Sequence, residues 1–258
     1  MWSSPLRNRA FTLIEVAVVI LILTLLASGL AMPVAAQLEM RRASETRRIL
    51  DEARDSLLAF AAANGRLPCP ATDASRGEES FAPGGDSGNG SCARFYDGYL
   101  PGAALGLSPL DTEGFVRDAW NTEHSRIRYA VFGAGASVNA VANPFTRVNG
   151  MQAATLAGLG DAPHFIYICA SAAGASASGC GPATNQLTRR AAFVLLSLGP
   201  NAGISPAAGG DESRNQSGDP VFVYHEATAG GNAAFDDVVQ WVPMHLVASR
   251  MLAAGRLP

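Results

Sequence analysis

Arg9-Ala10-Phe11-Thr12-Leu13-Ile14-Glu15 leads into a run from Val16 to Ala36 that holds no charged residue. A run of this length approaches the roughly 20 apolar residues that a helix needs to cross a bilayer. Glu15 lies at the start of the run, where lipid makes an unpaired carboxylate costly, so we expect its side chain to have a dedicated partner. Arg7 and Arg9 precede the run, and basic residues there favour a cytoplasmic start with the bulk of the chain outside.

The same segment also fits an ordinary secretory signal, in which Val34-Ala35-Ala36 would be the cleavage site and Gln37 the first mature residue. Two features favour the membrane helix. The uncharged run exceeds the roughly 7–15 residues of a typical signal core. Glu15 also interrupts the border between the basic leader and the apolar core, where an export signal gains nothing from an acid. A mature chain that begins at Gln37 would contradict the membrane-helix interpretation.

The basic leader, the small residue Ala10 and the following Phe-Thr-Leu-Ile-Glu resemble the class III signal of type IV pilins and type II secretion pseudopilins. This resemblance implies that a prepilin peptidase cleaves between Ala10 and Phe11 and that Phe11 becomes a methylated N-terminus. It also implies that Glu15 pairs with the N-terminal amine of a neighbouring subunit in a filament. The family usually has Gly at the position of Ala10.

The pattern from residue 11 to residue 64 predicts one long helix, apolar all round in its first half and amphipathic from Leu38 onward. The apolar face of the second half comprises Leu50, Ala53, Leu57, Phe60 and Ala61. Pro33 should kink the first half, because it removes a backbone donor. Asn64-Gly65 ends the helix. The tetrapeptide Gly-Arg-Leu-Pro occurs at 65–68 and again at 255–258, which indicates that one kind of helix ending is used twice.

Four strand-like apolar runs follow the helix. They are residues 126–132, 164–169, 192–198 and 220–225, with a short helix expected at 243–254 and weaker helical patterns at 138–141 and 151–159. Strands grouped after one long helix predict an α+β fold with an antiparallel sheet. The resemblance implies a pilin-like version, in which the helix packs on the sheet.

Three short stretches of the later chain also resemble pseudopilin and minor-pilin domains. They are Asp118-Ala119-Trp120-Asn121, residues 196–203 and residues 235–241. The resulting division is a leader at 1–10, a helix at 11–64 with a transmembrane segment at about 14–36, and a periplasmic pilin-like domain at 65–258.

The four cysteines all follow the apolar run and fall into two groups, Cys69 with Cys92 and Cys169 with Cys180. In an oxidising periplasm they can form disulfides, and four cysteines allow three connectivities. Pairing in sequence order is the simplest, because each pair brackets a Gly-, Ala- or Ser-rich segment. A metal site is the alternative, but neither pair has C-x-x-C spacing and no histidine is close by.

Composition and motifs give little support to catalysis or to nucleic-acid binding. The formal net charge of −3 provides no basic field that would attract nucleic acid. The four histidines are scattered without metal-ligand spacing. Gly85-Asp86-Ser87-Gly88 matches the nucleophile turn of chymotrypsin-like proteases, but it lies in low-complexity sequence and lacks a companion histidine motif. We therefore expect a protein that is not an enzyme.

Calcium is the one cofactor that the resemblance suggests, because major pseudopilins can hold it in a loop near the C-terminus. The corresponding interval here offers Asp211, Glu212, Asp219, Asp236 and Asp237, and carboxylate oxygens are ligands that calcium prefers. The interval has no EF-hand spacing. The competing interpretation is that these acids only solvate a glycine-rich loop.

The resemblance as a whole predicts a structural subunit of a type IV pilus-like or type II secretion pseudopilus filament. Its length and the loop between Cys69 and Cys92 favour a minor or specialised subunit. Expected partners are other pilin or pseudopilin subunits, the prepilin peptidase and an assembly platform in the inner membrane, which the chain would cross once. The alternative is a minor pilin that acts as an adhesin or a DNA-uptake module, and it would need a basic or aromatic cluster that the sequence does not show clearly.

Overall fold

A computed structural model describes residues 12–228 and 235–257, and for residues 26–36 it describes the backbone but not the side chains. The expected cleavage site between Ala10 and Phe11 lies outside the described residues. The chain divides into two compact units, Met1–Arg42 and Ala43–Pro258.

The elements of the chain confirm the predicted α+β class, with one long helix followed by short strands and helices. The helices are α1 (Leu13–Asn64), α2 (Gly150–Ala154), α3 (Leu156–Asp161), α4 (Asp211–Asn215) and α5 (Met244–Ala253). The strands are β1 (Gly98–Tyr99), β2 (Arg128–Val131), β3 (Ser137–Val138), β4 (Val141–Ala142), β5 (Ile166–Cys169), β6 (Gln186–Ser197), β7 (Val221–Val223) and β8 (Val238–Pro243).

The second half of α1 packs on the sheet domain through the face that the sequence predicted. Leu50, Ala53, Leu57 and Ala61 are fully buried in the main hydrophobic core. Burial of a leucine side chain contributes roughly 1.5–3 kcal/mol, so this face binds the helix firmly to the domain. Phe60 is only half-buried, because its ring lies at the edge of this face with the Arg66 guanidinium 5.2 Å from its centroid.

The first half of α1 continues as helix through Pro33. Within the part of the chain that the structure describes, none of the helices is long and apolar enough to meet the criteria for crossing a membrane. The span expected at about 14–36 includes residues 26–36, whose side chains lie outside the described set.

The two Gly-Arg-Leu-Pro tetrapeptides follow α1 and α5. Gly65 and Gly255 both have left-handed backbones, with φ of 68° and 67°, a conformation that costs glycine little. Arg256 donates to the carbonyl oxygens of Ala62, at 3.1 Å, and of Ala63. The second turn therefore satisfies carbonyls at the end of α1 that have no partner within the helix.

The sheet has the strand order β1-β2-β6-β5-β7, and β8, which lies off this path, also pairs with β6. All of its pairs are antiparallel except β5 with β7, which run parallel with Tyr167 opposite Val221. The sheet is thus mixed, where the sequence predicted an antiparallel one. The connection between β5 and β7 contains β6 and α4. This connection is long enough to bring the chain back to the end of the sheet where β5 begins, so that β7 runs parallel to β5.

Two local expectations differ from the structure. Strand β6 begins at Gln186, earlier than the apolar run at 192–198 predicted. Its first five residues are exposed or half-buried and mostly polar, so the apolar pattern does not reveal them. Residues 138–141 form the turn of the β3–β4 hairpin and not a helix, since Asn139 and Ala140 have φ of 49° and 63°. The pattern at 151–159 does correspond to helices, α2 and α3.

Candidate functional site: an N-terminal carboxylate and a carboxylate cluster

The first turn of α1 is closed by a reciprocal pair of hydrogen bonds between Thr12 and Glu15. The backbone N–H of Glu15 donates to Thr12 Oγ1 at 3.3 Å, and the backbone N–H of Thr12 donates to Glu15 Oε2 at 3.3 Å. This is a capping box, in which two N–H groups at the helix start are satisfied by side chains. The Thr-x-x-Glu spacing in the sequence indicates this second role of Glu15, which was not predicted.

Glu15 is exposed, and it lies among exposed apolar side chains. Large hydrophobic residues that are about half-exposed or more occupy the described part of this segment: Leu13, Ile14, Val16, Val18, Val19, Ile20, Leu21, Ile22, Leu23 and Leu25. Such a surface needs lipid or protein to cover it. A carboxylate within it is placed to meet a cationic partner once the surrounding water is removed.

A second group of carboxylates lies between α4 and the start of β8. Oxygen atoms of Glu212, Asp236 and Asp237 lie within 4.8 Å of one another. The backbone N–H of Asp236 donates to Glu212 Oε1 at 3.0 Å, and Asn201 Nδ2 donates to both carboxylate oxygens of Glu212 at 3.1 and 3.0 Å. These bonds fix Glu212, which is buried, over the segment that precedes β8.

The structure brings together two of the four aspartates that the sequence analysis proposed as calcium ligands. Asp236 and Asp237 lie in the cluster, but Asp211 accepts from the backbone of Ala172 at 2.6 Å and contacts His225 Nε2 at 2.9 Å. Asp219 accepts from Arg214 at 2.6 Å.

The third carboxylate of the cluster is Glu212, which the sequence offered beside the four aspartates in the same acidic interval. Glu212 belongs to the cluster because of the position of the short helix α4, and the local sequence does not specify that position.

Electrostatics distinguish Asp237 from Asp211. Burial, together with the smaller effect of the negative charges of Glu212 and Asp236, raises the pKa of Asp237 to about 8, against the opposing hydrogen bond from Asn215. Burial also acts to raise the pKa of Asp211, but its bonds with Ala172 and His225 hold that pKa below the ordinary value. Of the two, Asp237 is the carboxyl that gains most from a nearby cation.

The donor atoms of the cluster are suited to a hard divalent cation. Three carboxylates from two chain segments converge, and carboxylate oxygens are the donors that calcium prefers. The side chain of Asp237 is 7% exposed, and its Oδ1 accepts no hydrogen bond from any described residue. A buried oxygen without a partner is costly, so a cation that bound it would remove a penalty as well as neutralise charge.

The cysteines form two disulfides, Cys69–Cys92 and Cys169–Cys180, in the sequence order that the spacing favoured. The second disulfide closes a loop whose backbone is held by Asn185, which donates to the carbonyl oxygens of Ser171 and Cys180, both at 2.8 Å. Two disulfides are consistent with the oxidising compartment that the sequence predicted.

The segment Gly85-Asp86-Ser87-Gly88 is a turn. Asp86 Oδ1 accepts from the backbone N–H groups of Gly88 and Asn89 at 2.8 and 2.9 Å, which is the usual turn chemistry of aspartate. Ordinary loop structure therefore accounts for the tetrapeptide.

Comparison with known protein families confirms the resemblance at the N-terminus. Residues 5–31 match the prokaryotic N-terminal methylation motif, which is consistent with the prepilin signal of type IV pilins and pseudopilins. The motif supports a pilin-like subunit that a prepilin peptidase processes. It also implies a membrane-anchored, filament-forming protein that assembles with other pilin subunits. No curated protein and no solved structure matches the chain.

Proposed function

We propose that the protein is a structural subunit of a type II secretion pseudopilus or a type IV pilus-like filament, of a minor or specialised kind. The observation that carries this proposal is the methylation motif at residues 5–31, which leads into a helix whose second half packs on an α+β domain. The prepilin peptidase would cleave between Ala10 and Phe11. The domain from residue 65 onward would lie in the periplasm, with the helix anchored in the inner membrane before the assembly platform adds the subunit to the filament.

Glu15 is the proposed assembly residue, and its capping box gives it a second, local role. In the filament its carboxylate would offset the charge of the Phe11 amine of a neighbouring subunit, which an acid in apolar surroundings requires. In the single chain it accepts the Thr12 N–H. A test of assembly must therefore separate loss of the negative charge from loss of the helix cap.

Three variants make that separation in a filament-incorporation assay with membrane insertion measured in parallel. Glu15→Gln keeps an acceptor for the Thr12 N–H but removes the charge, so we expect it to insert and fail to assemble. Glu15→Ala should fail in the same way. Thr12→Ala weakens the cap and keeps the charge, so it should still assemble. Normal incorporation of both Glu15 variants would refute the role.

We also propose that Glu212, Asp236 and Asp237 hold calcium. Their convergence supports this site, and so does Asp237 Oδ1, which has no hydrogen-bond partner among the described residues. When bound, the ion would supply positive charge that fixes the segment before β8 against α4. Thermal unfolding with calcium and with a chelator tests the proposal: calcium should raise the midpoint, and an unchanged midpoint would end it.

A further inference from the structure

Two side chains cover backbone N–H groups of β7 that do not pair with β5: Asp219 accepts from Val221 at 3.2 Å, and Asn215 of α4 covers Val223. The backbone N–H of Val223 donates to Asn215 Oδ1 at 2.7 Å, and Asn215 Nδ2 donates to the carbonyl oxygen of Val223 at 3.2 Å. The other side of β7 pairs with β5. The amide group thus takes the place of a neighbouring strand at the edge.

The same amide nitrogen also reaches the carboxylate cluster. Asn215 Nδ2 donates to Asp237 Oδ2 at 2.7 Å, and both side chains are buried. An asparagine amide offers two donors and one carbonyl, and here Val223 and Asp237 use all three groups. Because the Val223 N–H requires an oxygen and the Asp237 carboxylate requires a donor, the amide fits in one orientation only.

Helix α4 therefore connects the cluster to the sheet edge through two side chains one turn apart. Glu212 contacts the backbone of Asp236, and Asn215 contacts both Asp237 and Val223. A cation bound by all three carboxylates would contact both α4 and the segment before β8, so it would hold the two segments together.

We propose that Asn215 is a positioning residue that couples occupancy of the carboxylate cluster to closure of the sheet edge at β7. A bound cation holds Asp237, Asp237 holds the amide of Asn215, and the amide covers the backbone of Val223. Without the cation the edge opens and presents free N–H and C=O groups, which is the kind of surface that recruits a strand from another chain. This inference rests on the cation site of the proposed function and adds a regulatory role to it.

Amide hydrogen exchange at Val223 measures the coupling directly. The full-length protein in detergent micelles is compared in calcium and in chelator, with Val194 in the centre of β6 as an internal reference. We expect calcium to slow exchange at Val223 by roughly tenfold or more and to leave Val194 unchanged, because only the edge opens locally.

Asn215→Ala is the informative variant, and Asn185→Ala is its control. The first removes the link and should make Val223 exchange fast with and without calcium. The second removes a half-buried amide that contacts the loop of the Cys169–Cys180 disulfide and, among the described residues, none of the three carboxylates, so it should keep the calcium effect.

The outcomes are distinguishable. If calcium leaves the melting midpoint unchanged, both the cation site and the coupling are overturned. If calcium raises the midpoint but exchange at Val223 does not change, or still responds in Asn215→Ala, the site stands and the coupling is overturned. The filament proposal is tested by the incorporation assay. If that assay contradicts it while calcium still slows exchange at Val223, the filament proposal is overturned and the coupling stands.

Discussion

The hydroxyl of Ser197 donates to Asp118 Oδ2 over 2.7 Å, joining the end of β6 to the turn that precedes β2. Burial raises the pKa of Asp118 above its ordinary value, although the bonds from Ser197 and Trp120 oppose that effect. The next residue in the turn, Ala119, donates its N–H to Oγ1 of the buried Thr46 on α1 at 3.1 Å. One turn thus ties the helix and the central strand together.

The Thr46 contact gives the first prediction. Thr46→Val keeps the size of the side chain but leaves the Ala119 N–H without its partner, so we expect a loss of about 1–3 kcal/mol in the free energy of unfolding. Thr46→Ser keeps the hydroxyl and should lose much less. Denaturant unfolding of the two variants beside the parent checks this, and a Thr46→Val protein as stable as the parent would contradict the contribution of the hydrogen bond.

The ion pair of Arg66 with Glu79 gives the second prediction. Both side chains are largely buried, the two guanidinium nitrogens lie 2.6 and 2.7 Å from the carboxylate, and the backbone N–H of Cys69 donates to the same carboxylate at 2.9 Å. Glu79→Gln leaves a buried guanidinium without its counter-charge, so we expect a loss of about 3–5 kcal/mol.

The matched control for that variant is Glu45→Gln, which breaks the exposed pair with Arg48 on α1. It should leave the unfolding midpoint unchanged, because water screens exposed pairs. A similar loss in both variants would contradict the assignment of the effect to burial.

Several features of the fold were accessible from sequence because short-range patterns encode them. The stripe of Leu50, Ala53 and Leu57 appears directly in the helical period, and Gly65 and Gly255 mark two helix ends. Cysteine spacing favoured the observed disulfides. The capping box of Thr12 and Glu15 is equally local, because its signal is the spacing of three residues between the two side chains.

The carboxylate cluster shows what sequence could not supply. Glu212 joins Asp236 only because α4, a helix of five residues, packs against the segment before β8. No periodic pattern predicts so short a helix. The role of Asn215 depends on contacts with Val223 and Asp237 in two different segments, and the parallel course of β7 depends on the same packing. These relationships arise from tertiary contacts between distant residues.

Asp237 gives the third prediction, a specific pH dependence of stability in the presence of a chelator. Its pKa in the folded chain is raised from 3.8 to about 8, so the folded state favours the protonated form. Stability from this group is complete below pH 4 and is lost as pH rises toward 8. Asp237→Asn cannot ionise, so its unfolding midpoint should change less than that of the parent between pH 5 and pH 8.

Calcium should oppose the same loss in the parent, since it stabilises the ionised carboxylate, and should have little effect on Asp237→Asn. Thermal melts of both proteins at the two pH values, with calcium and with chelator, check these expectations. An identical pH dependence in the parent and the variant would assign the titration to other groups.

The last prediction uses the composition of the chain. All 19 of its basic residues are arginines, so it contains no lysine, and the N-terminal amine is its single primary amine. An amine-reactive label on the unmethylated protein should therefore mark one site, which identifies the first residue. In cells with the prepilin peptidase but without methylation we expect the label on Phe11, in a tryptic peptide that ends at Arg41. In cells without the peptidase it should lie on a residue that precedes Phe11. Ala10→Gly, which restores the residue usual in the family, should raise the processed fraction, whereas a label on Gln37 would show that an ordinary signal peptidase removes the apolar segment and that the chain cannot assemble through Glu15.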